Sequence, residues 1–153
     1  MLEKSGLKEP LIKLVTSKKI FLLGICVGFQ MLFEKSDEGK KEGLSLLNAT
    51  VKKFNKKSII IPHMGWNNVE YDNDLSNDLF RNISNSSKFY FLHSFYLPIQ
   101  GNLNDCIKGF TDYNECFISM IVKENIIGLQ FHPEKSHKQG MDLLVNFSNL
   151  KMT

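Results

Sequence analysis

The run Ile20-Phe21-Leu22-Leu23-Gly24-Ile25-Cys26-Val27-Gly28 passes from an unbroken apolar segment into a cysteine flanked by glycines. An apolar run without polar alternation fits a strand buried on both faces. It is far shorter than the ~20 residues a membrane-spanning helix needs. Beyond Gly28 the pattern turns helical through Gln30, Met31, Leu32 and Phe33 and is expected to stop near Gly39. Strand, tight turn and helix in that order describe a nucleophile elbow, with Cys26 in the place of the usual serine. Glycines two before and two after the nucleophile allow the sharp turn. The N-terminus of the following helix favours negative charge, and so a thiolate. The competing reading is a buried structural cysteine with small neighbours that serve packing.

On the amino-terminal side, Leu7, Leu11, Leu14 and Val15 recur at helical spacing with Pro10 suited to a first turn. On the carboxyl side, Ser58–Ile61, Trp66–Tyr71 and Lys88–Leu97 carry strand signals, with an Asn/Asp-rich loop after Tyr71. Phe117–Val122 and Ile126–Phe131 flank Lys123-Glu124-Asn125, a hairpin turn. Gln139–Leu150 puts Leu143, Leu144, Phe147 and Leu150 on one helical stripe. No repeat or linker divides the chain, so residues 1–153 read as one α/β domain with a mixed sheet flanked by helices.

Composition narrows the function classes. Of the 153 residues, 42% are hydrophobic and 23% charged, a globular balance. Nineteen basic against 16 acidic residues give a formal charge of +3, and Arg81 is the only arginine. Arginine forks dominate specific phosphate and base recognition, so nucleic acid is not an expected partner. No signal-peptide core or membrane span is present in the sequence. Three cysteines, Cys26, Cys106 and Cys116, are an odd number at no metal-like spacing, which fits a reducing cytoplasm. Cys106 and Cys116 read as structural.

A nucleophilic cysteine needs a base, and the base needs an orienter. Among His63, His93, His132 and His137, His132 stands out because Phe131-His132-Pro133-Glu134 closes an apolar strand. In extended chain, residues i and i+2 point to one side, so Glu134 can reach the imidazole, fix its tautomer and stabilise the imidazolium. The bland alternative is a surface His–Glu pair. His137 and Arg81 receive no functional reading.

Gly24-Ile25-Cys26-Val27-Gly28-Phe29-Gln30 and Gln130-Phe131-His132-Pro133-Glu134 resemble the two signatures of the class I glutamine amidotransferases, a flavodoxin-like fold. Pro62-His63-Met64-Gly65-Trp66-Asn67, Tyr90-Phe91-Leu92-His93-Ser94 and His132-Pro133-Glu134-Lys135-Ser136 are similar, more narrowly, to the glutaminase subunits of imidazole glycerol phosphate synthases. The resemblance runs in order along essentially the whole chain. It implies that Cys26 attacks the carboxamide of L-glutamine, with His132 as acid and base and Glu134 holding His132. It implies an oxyanion donor at the Val27 amide and glutamine binding by Gly28, Gln30 and the backbone at His93, Ser94 and Phe95. His63, Met64, Trp66, Asn67 and Lys135 match the face toward a cyclase partner and the ammonia passage. A heterodimer with that cyclase is implied, and no cofactor, metal or membrane. For Met64 and Trp66 the alternative is ordinary core packing.

Val27 and Phe29 stand where the family more often has Leu and Met. The resemblance further implies strands and helices ahead of the segment that begins here at Met1, among them a central first strand and a Pro-Gly loop supplying the second oxyanion donor. Relative to the family the chain is therefore expected to be N-terminally truncated, with Ile20–Gly24 short of a neighbouring strand. Three readings stay open: ammonia delivery to the histidine-pathway cyclase, delivery to an enzyme that amidates surface sugars, and a non-catalytic remnant that binds the partner.

Overall fold

The computed structural model describes residues 4–39, 42–55, 59–71, 78–99 and 103–151. Helix α1 (Lys8–Thr16) forms over the first amphipathic segment, with Pro10 in its first turn and Val15 buried. The apolar run delivers strand β1 (Leu22–Ile25), and the elbow opens helix α2 (Val27–Met31). Then follow β2 (Phe33–Ser36), β3 (Leu47–Lys53), β4 (His63–Asn68) and β5 (Glu70–Tyr71). The aromatic segment splits at Ser94 into β6 (Lys88–His93) and β7 (Phe95–Pro98). Strand β8 (Ile107–Asp112) precedes the hairpin of β9 (Cys116–Lys123) and β10 (Ile126–Leu129), and helix α3 (His137–Ser148) closes the described chain.

The main sheet is mixed and runs β1-β10-β9-β7-β3-β2, with β8 on the other edge of β9 and β5 beyond it; β4 and β6 form a separate antiparallel pair. Strands β1 and β10 are parallel and in register, Leu22 opposite Ile126 through Ile25 opposite Leu129. Both therefore end at the same edge. The hairpin register pairs Ile126 with Lys123, so Glu124 and Asn125 alone make the turn, and Glu124 takes the positive φ (+52°) that such turns require.

Two apolar clusters hold these layers together. Phe89, Phe91, Phe117, Phe131 and Leu143 pack between the strands and α3. Phe29, Leu32, Phe33, Val51, Leu97 and Ile121 pack beneath the elbow.

Three expectations change. The helix after Gly28 ends after five residues, because Phe33-Glu34-Lys35-Ser36 pairs in parallel with β3 and buries Phe33 while Lys35 stays exposed. Strand β1 is only half-buried, Gly24 excepted, because it stands at one end of the sheet rather than in its middle. Ile59–Ile61 is not a strand; the chain bends there and leaves Ile60 79% exposed. Ser58 and the Asn/Asp-rich loop after Tyr71 lie outside the described residues.

Candidate active site

The elbow is built by crowding. A Cβ on Gly24 would sit 2.6 Å from the Gly28 carbonyl oxygen, so only glycine lets β1 turn back this tightly. A Cβ on Gly28 would meet nothing within 4 Å, so open space lies there. Cys26 itself takes φ +51° and ψ −103°, a conformation costly for a residue with a Cβ. It is held there by its backbone N–H, which donates to the Leu129 carbonyl at the end of β10 (2.8 Å).

The half-buried thiol donates to the Leu92 carbonyl of β6 (3.6 Å). Burial pushes its pKa up; the Val27 amide lowers it, the Glu38 and Glu134 carboxylates raise it, and Lys135 lowers it slightly. The resting cysteine is therefore a thiol rather than a thiolate. The expectation that the elbow alone favours ionisation gives way to desolvation, since α2 is barely more than one turn long.

His132 leaves β10 three residues after that strand's end, and its N–H donates to the Tyr90 carbonyl (2.8 Å). Tyr90 and Leu92 are two apart on β6, so His132 and Cys26 hang from the same side of one strand. Glu134 Oε1 lies 2.7 Å from His132 Nδ1. An acceptor at Nδ1 requires the proton there, so neutral His132 presents its lone pair at Nε2, the tautomer a general base needs. Ser136 locks this turn. Fully buried, its hydroxyl donates to the His132 carbonyl (2.6 Å) and accepts the Tyr90 N–H (2.9 Å).

The other expected site residues separate by strand parity. Gln30 is buried in α2, and its Oε1 has no partner. At the β6–β7 bend, the Ser94 carbonyl accepts the Phe54 N–H and the Phe95 carbonyl accepts His93 Nδ1 (2.7 Å). On β4, Met64 and Trp66 are 63% and 42% exposed, whereas His63 is 2% exposed and faces inward. Lys135 is exposed beside Glu134.

His63 Nδ1 sits 3.0 Å from His93 Nε2, and Asn67 Nδ2 lies 3.5 Å from His63 Nε2 while donating to the Asp112 carbonyl. Because His93 gives its Nδ1 proton to the Phe95 carbonyl, its Nε2 must accept, and the donors run Asn67, His63, His93, ending at the Phe95 carbonyl as acceptor. Burial lowers both imidazoles, His63 to about 4 and His93 to about 3, so both are neutral.

Several contributors escaped the sequence reading: the Leu92 carbonyl, Ser136, Gln130 and His137, whose ring stacks on Trp66 at 4.8 Å. Leu92, Gln130 and Ser136 stand inside the motifs that carry the resemblance, whereas His137 gave no such signal. Cys106 is buried with its thiol pushed up to about 11, as a structural residue would be, whereas Cys116 is exposed at the start of β9. Among the described residues no group of three or more His, Cys, Asp or Glu converges as metal ligands, and no helix is long and apolar enough to cross a membrane.

The profile of the family described as Glutamine amidotransferase class-I matches residues 3–150. The chain is 44% identical over 153 residues to imidazole glycerol phosphate synthase subunit HisH of Leptospira interrogans, covering 97% of this chain and 73% of that protein. It is 44% identical over 147 residues to subunit HisH 2 of Methanococcus maripaludis, covering 95% and 71%. Among solved structures, one described as a glutamine amidotransferase superimposes with a TM-score of 0.67 at 14% identity, over 96% of this chain and 71% of that one. A glutamine amidotransferase from Thermotoga maritima gives 0.57 at 24% identity, over 97% and 56%; these likenesses concern the fold.

Proposed function

Because the chain belongs to the class-I glutamine amidotransferases, we propose that it is a glutaminase subunit that hydrolyses L-glutamine through Cys26, His132 and Glu134 and passes the ammonia to the cyclase subunit of imidazole glycerol phosphate synthase. One observation carries this reading: the cysteine elbow and the His132–Glu134 pair leave the same ends of two adjacent parallel strands, and both fasten to β6. The name shared by the relatives favours this acceptor over sugar-amidating enzymes. In that setting the chain works in histidine biosynthesis, in the cytoplasm, as one half of a heterodimer.

We infer the following chemistry for these residues. His132 Nε2 takes the Cys26 proton as sulfur attacks the carboxamide carbon of glutamine. The developing oxyanion meets the Val27 N–H, and losing one such donor typically raises the barrier by ~3 kcal/mol. The imidazolium, stabilised by Glu134 at Nδ1, gives its proton to the departing nitrogen, and ammonia leaves a γ-glutamyl thioester. Nε2 then takes a proton from water, which attacks the thioester; glutamate departs and the thiol is restored.

The open space at Gly28 and the amide of Gln30 receive the substrate, and the backbone at His93–Phe95 takes its amino-acid end. Met64, Trp66 and Lys135 face the cyclase, while His63 and Asn67 support that face from beneath.

The test uses the chain assembled with its cyclase. Replacing Cys26 by Ala is expected to cut glutamate release by about 1,000-fold or more while leaving the complex intact. Glutamate release that survives the substitution overturns the mechanism. Binding with no glutamate release by the parent chain would make it a binding module instead.

A further inference from the structure

Gln130 takes no part in the mechanism above, yet its side chain is fully buried, and its Nε2 lies 3.9 Å from Cys26 Sγ. Its Oε1 has no hydrogen-bond partner. We propose that Gln130 is a further catalytic residue whose side-chain amide donates to the Cys26 sulfur and steadies it as a thiolate. The inference rests on Cys26 being the nucleophile.

The backbone fixes this contact twice. The Gln130 N–H donates to the Ser119 carbonyl of β9 (2.8 Å), and the Cys26 N–H donates to Leu129, the residue before Gln130. Donor and sulfur are thus tied to adjacent strands rather than to loops that could drift apart.

The surroundings of the sulfur say what the amide is for. In the thiol state the S–H points to the Leu92 carbonyl, a partner that turns repulsive once the proton leaves. Glu38, after β2, and Glu134, after β10, also oppose the anion, and so does burial. The Val27 amide and the Lys135 ammonium favour it. The Gln130 N–H adds a donor from the sheet side, and a donor to sulfur strengthens when the acceptor becomes charged. An amide does this without itself titrating.

The orphaned Oε1 is the second sign. A buried acceptor without a partner is unfavourable, and an apolar side chain would fill this position without that defect. Retaining glutamine makes sense when its other end is needed. The donor serves twice in a cycle, once when the thiol ionises for attack and again when the thioester releases the sulfur.

The experiment reads ionisation directly, with no glutamine present. Iodoacetamide alkylation of Cys26 is followed against pH by peptide mass spectrometry, with the exposed Cys116 as internal reference. The full chain is compared with Gln130→Met, which keeps length and removes the donor. The expected result is a midpoint about one pH unit higher and alkylation at pH 7 about tenfold slower, with Cys116 unchanged. Superimposed Cys26 profiles overturn the proposal.

Should Gln130→Met not fold, the Gln130 Nε2 proton resonances of the unsubstituted protein, assigned through its own side-chain carbons, must shift with the Cys26 midpoint. Signals that stay still through that titration overturn the proposal equally. Failure of the glutaminase reading is separate, because it appears as glutamate release that outlives Cys26→Ala.

Discussion

At the scale of single residues, the two elbow glycines do different work. Gly24 is required by contact with the Gly28 carbonyl, so Gly24→Ala must push the turn apart and is expected to cost about 2 kcal/mol in urea unfolding. Gly28 has open space where a Cβ would point, so Gly28→Ala should leave stability unchanged or raise it by up to ~1 kcal/mol, as alanine does in a helix. Gly28 lines the glutamine pocket in the proposed function, so on that reading the added methyl should raise glutamine KM in the complex while the melt does not fall. Sequence spacing alone made the two glycines look equivalent. Their difference depends on which backbone atoms face each other after the turn.

At the scale of elements, His132 is held by a strand it does not belong to. The turn carrying His132 and Glu134 is fastened to β6 through the Tyr90 carbonyl and through Ser136, which joins the His132 carbonyl to the Tyr90 N–H. Ser136→Ala leaves that half-buried N–H without its acceptor and should cost about 1 kcal/mol. On the proposed mechanism it should also lower kcat more than it raises KM, because the imidazole loses its orientation while the residues proposed to bind glutamine stay in place. The His-Pro-Glu pattern was legible as chemistry, but the contact is not made in extended chain: Pro133–Lys135 is a 3-10 turn, and that turn brings Glu134 Oε1 to His132 Nδ1. Which strand would anchor the turn was not legible, since nothing local in Lys88–His93 announces a partner more than forty residues away. The same limit explains α2: Phe33–Ser36 looks helical by its apolar spacing, and only pairing with β3 makes it a strand.

At the scale of the whole molecule, the β4–β6 pair buries two neutral imidazoles, His63 and His93, between Phe91, Tyr113 and Phe117. Their pKa values, about 4 and about 3, lie below the ~6.5 of an unfolded histidine. The unfolded chain therefore binds protons that the folded chain refuses, and stability falls as pH drops from ~6.5 toward 4 and then 3. At pH 5 the loss should be roughly 2 kcal/mol for each imidazole. The urea midpoint should fall between pH 7 and pH 5, and His63→Phe, which keeps the stacking, should remove about half of that dependence. A midpoint that is equally steep in the variant would mean that other groups govern acid stability.

By itself, the sequence determined the kinds of groups present and their local geometry. These are the apolar strand into a glycine-flanked cysteine, the His132–Glu134 spacing, the hairpin turn and the terminal helix, because each depends on residues within a few positions of one another. Only the tertiary structure decided that β1 and β10 lie parallel and end together, and that Leu92 and Tyr90 gather Cys26 and His132 onto one strand. It alone buried the thiol enough to hold its proton, turned His63 inward while Met64 and Trp66 face out, and brought the Gln130 amide to the sulfur. Burial and pairing between distant segments set charge, access and orientation, and a one-dimensional pattern encodes them only through the fold as a whole.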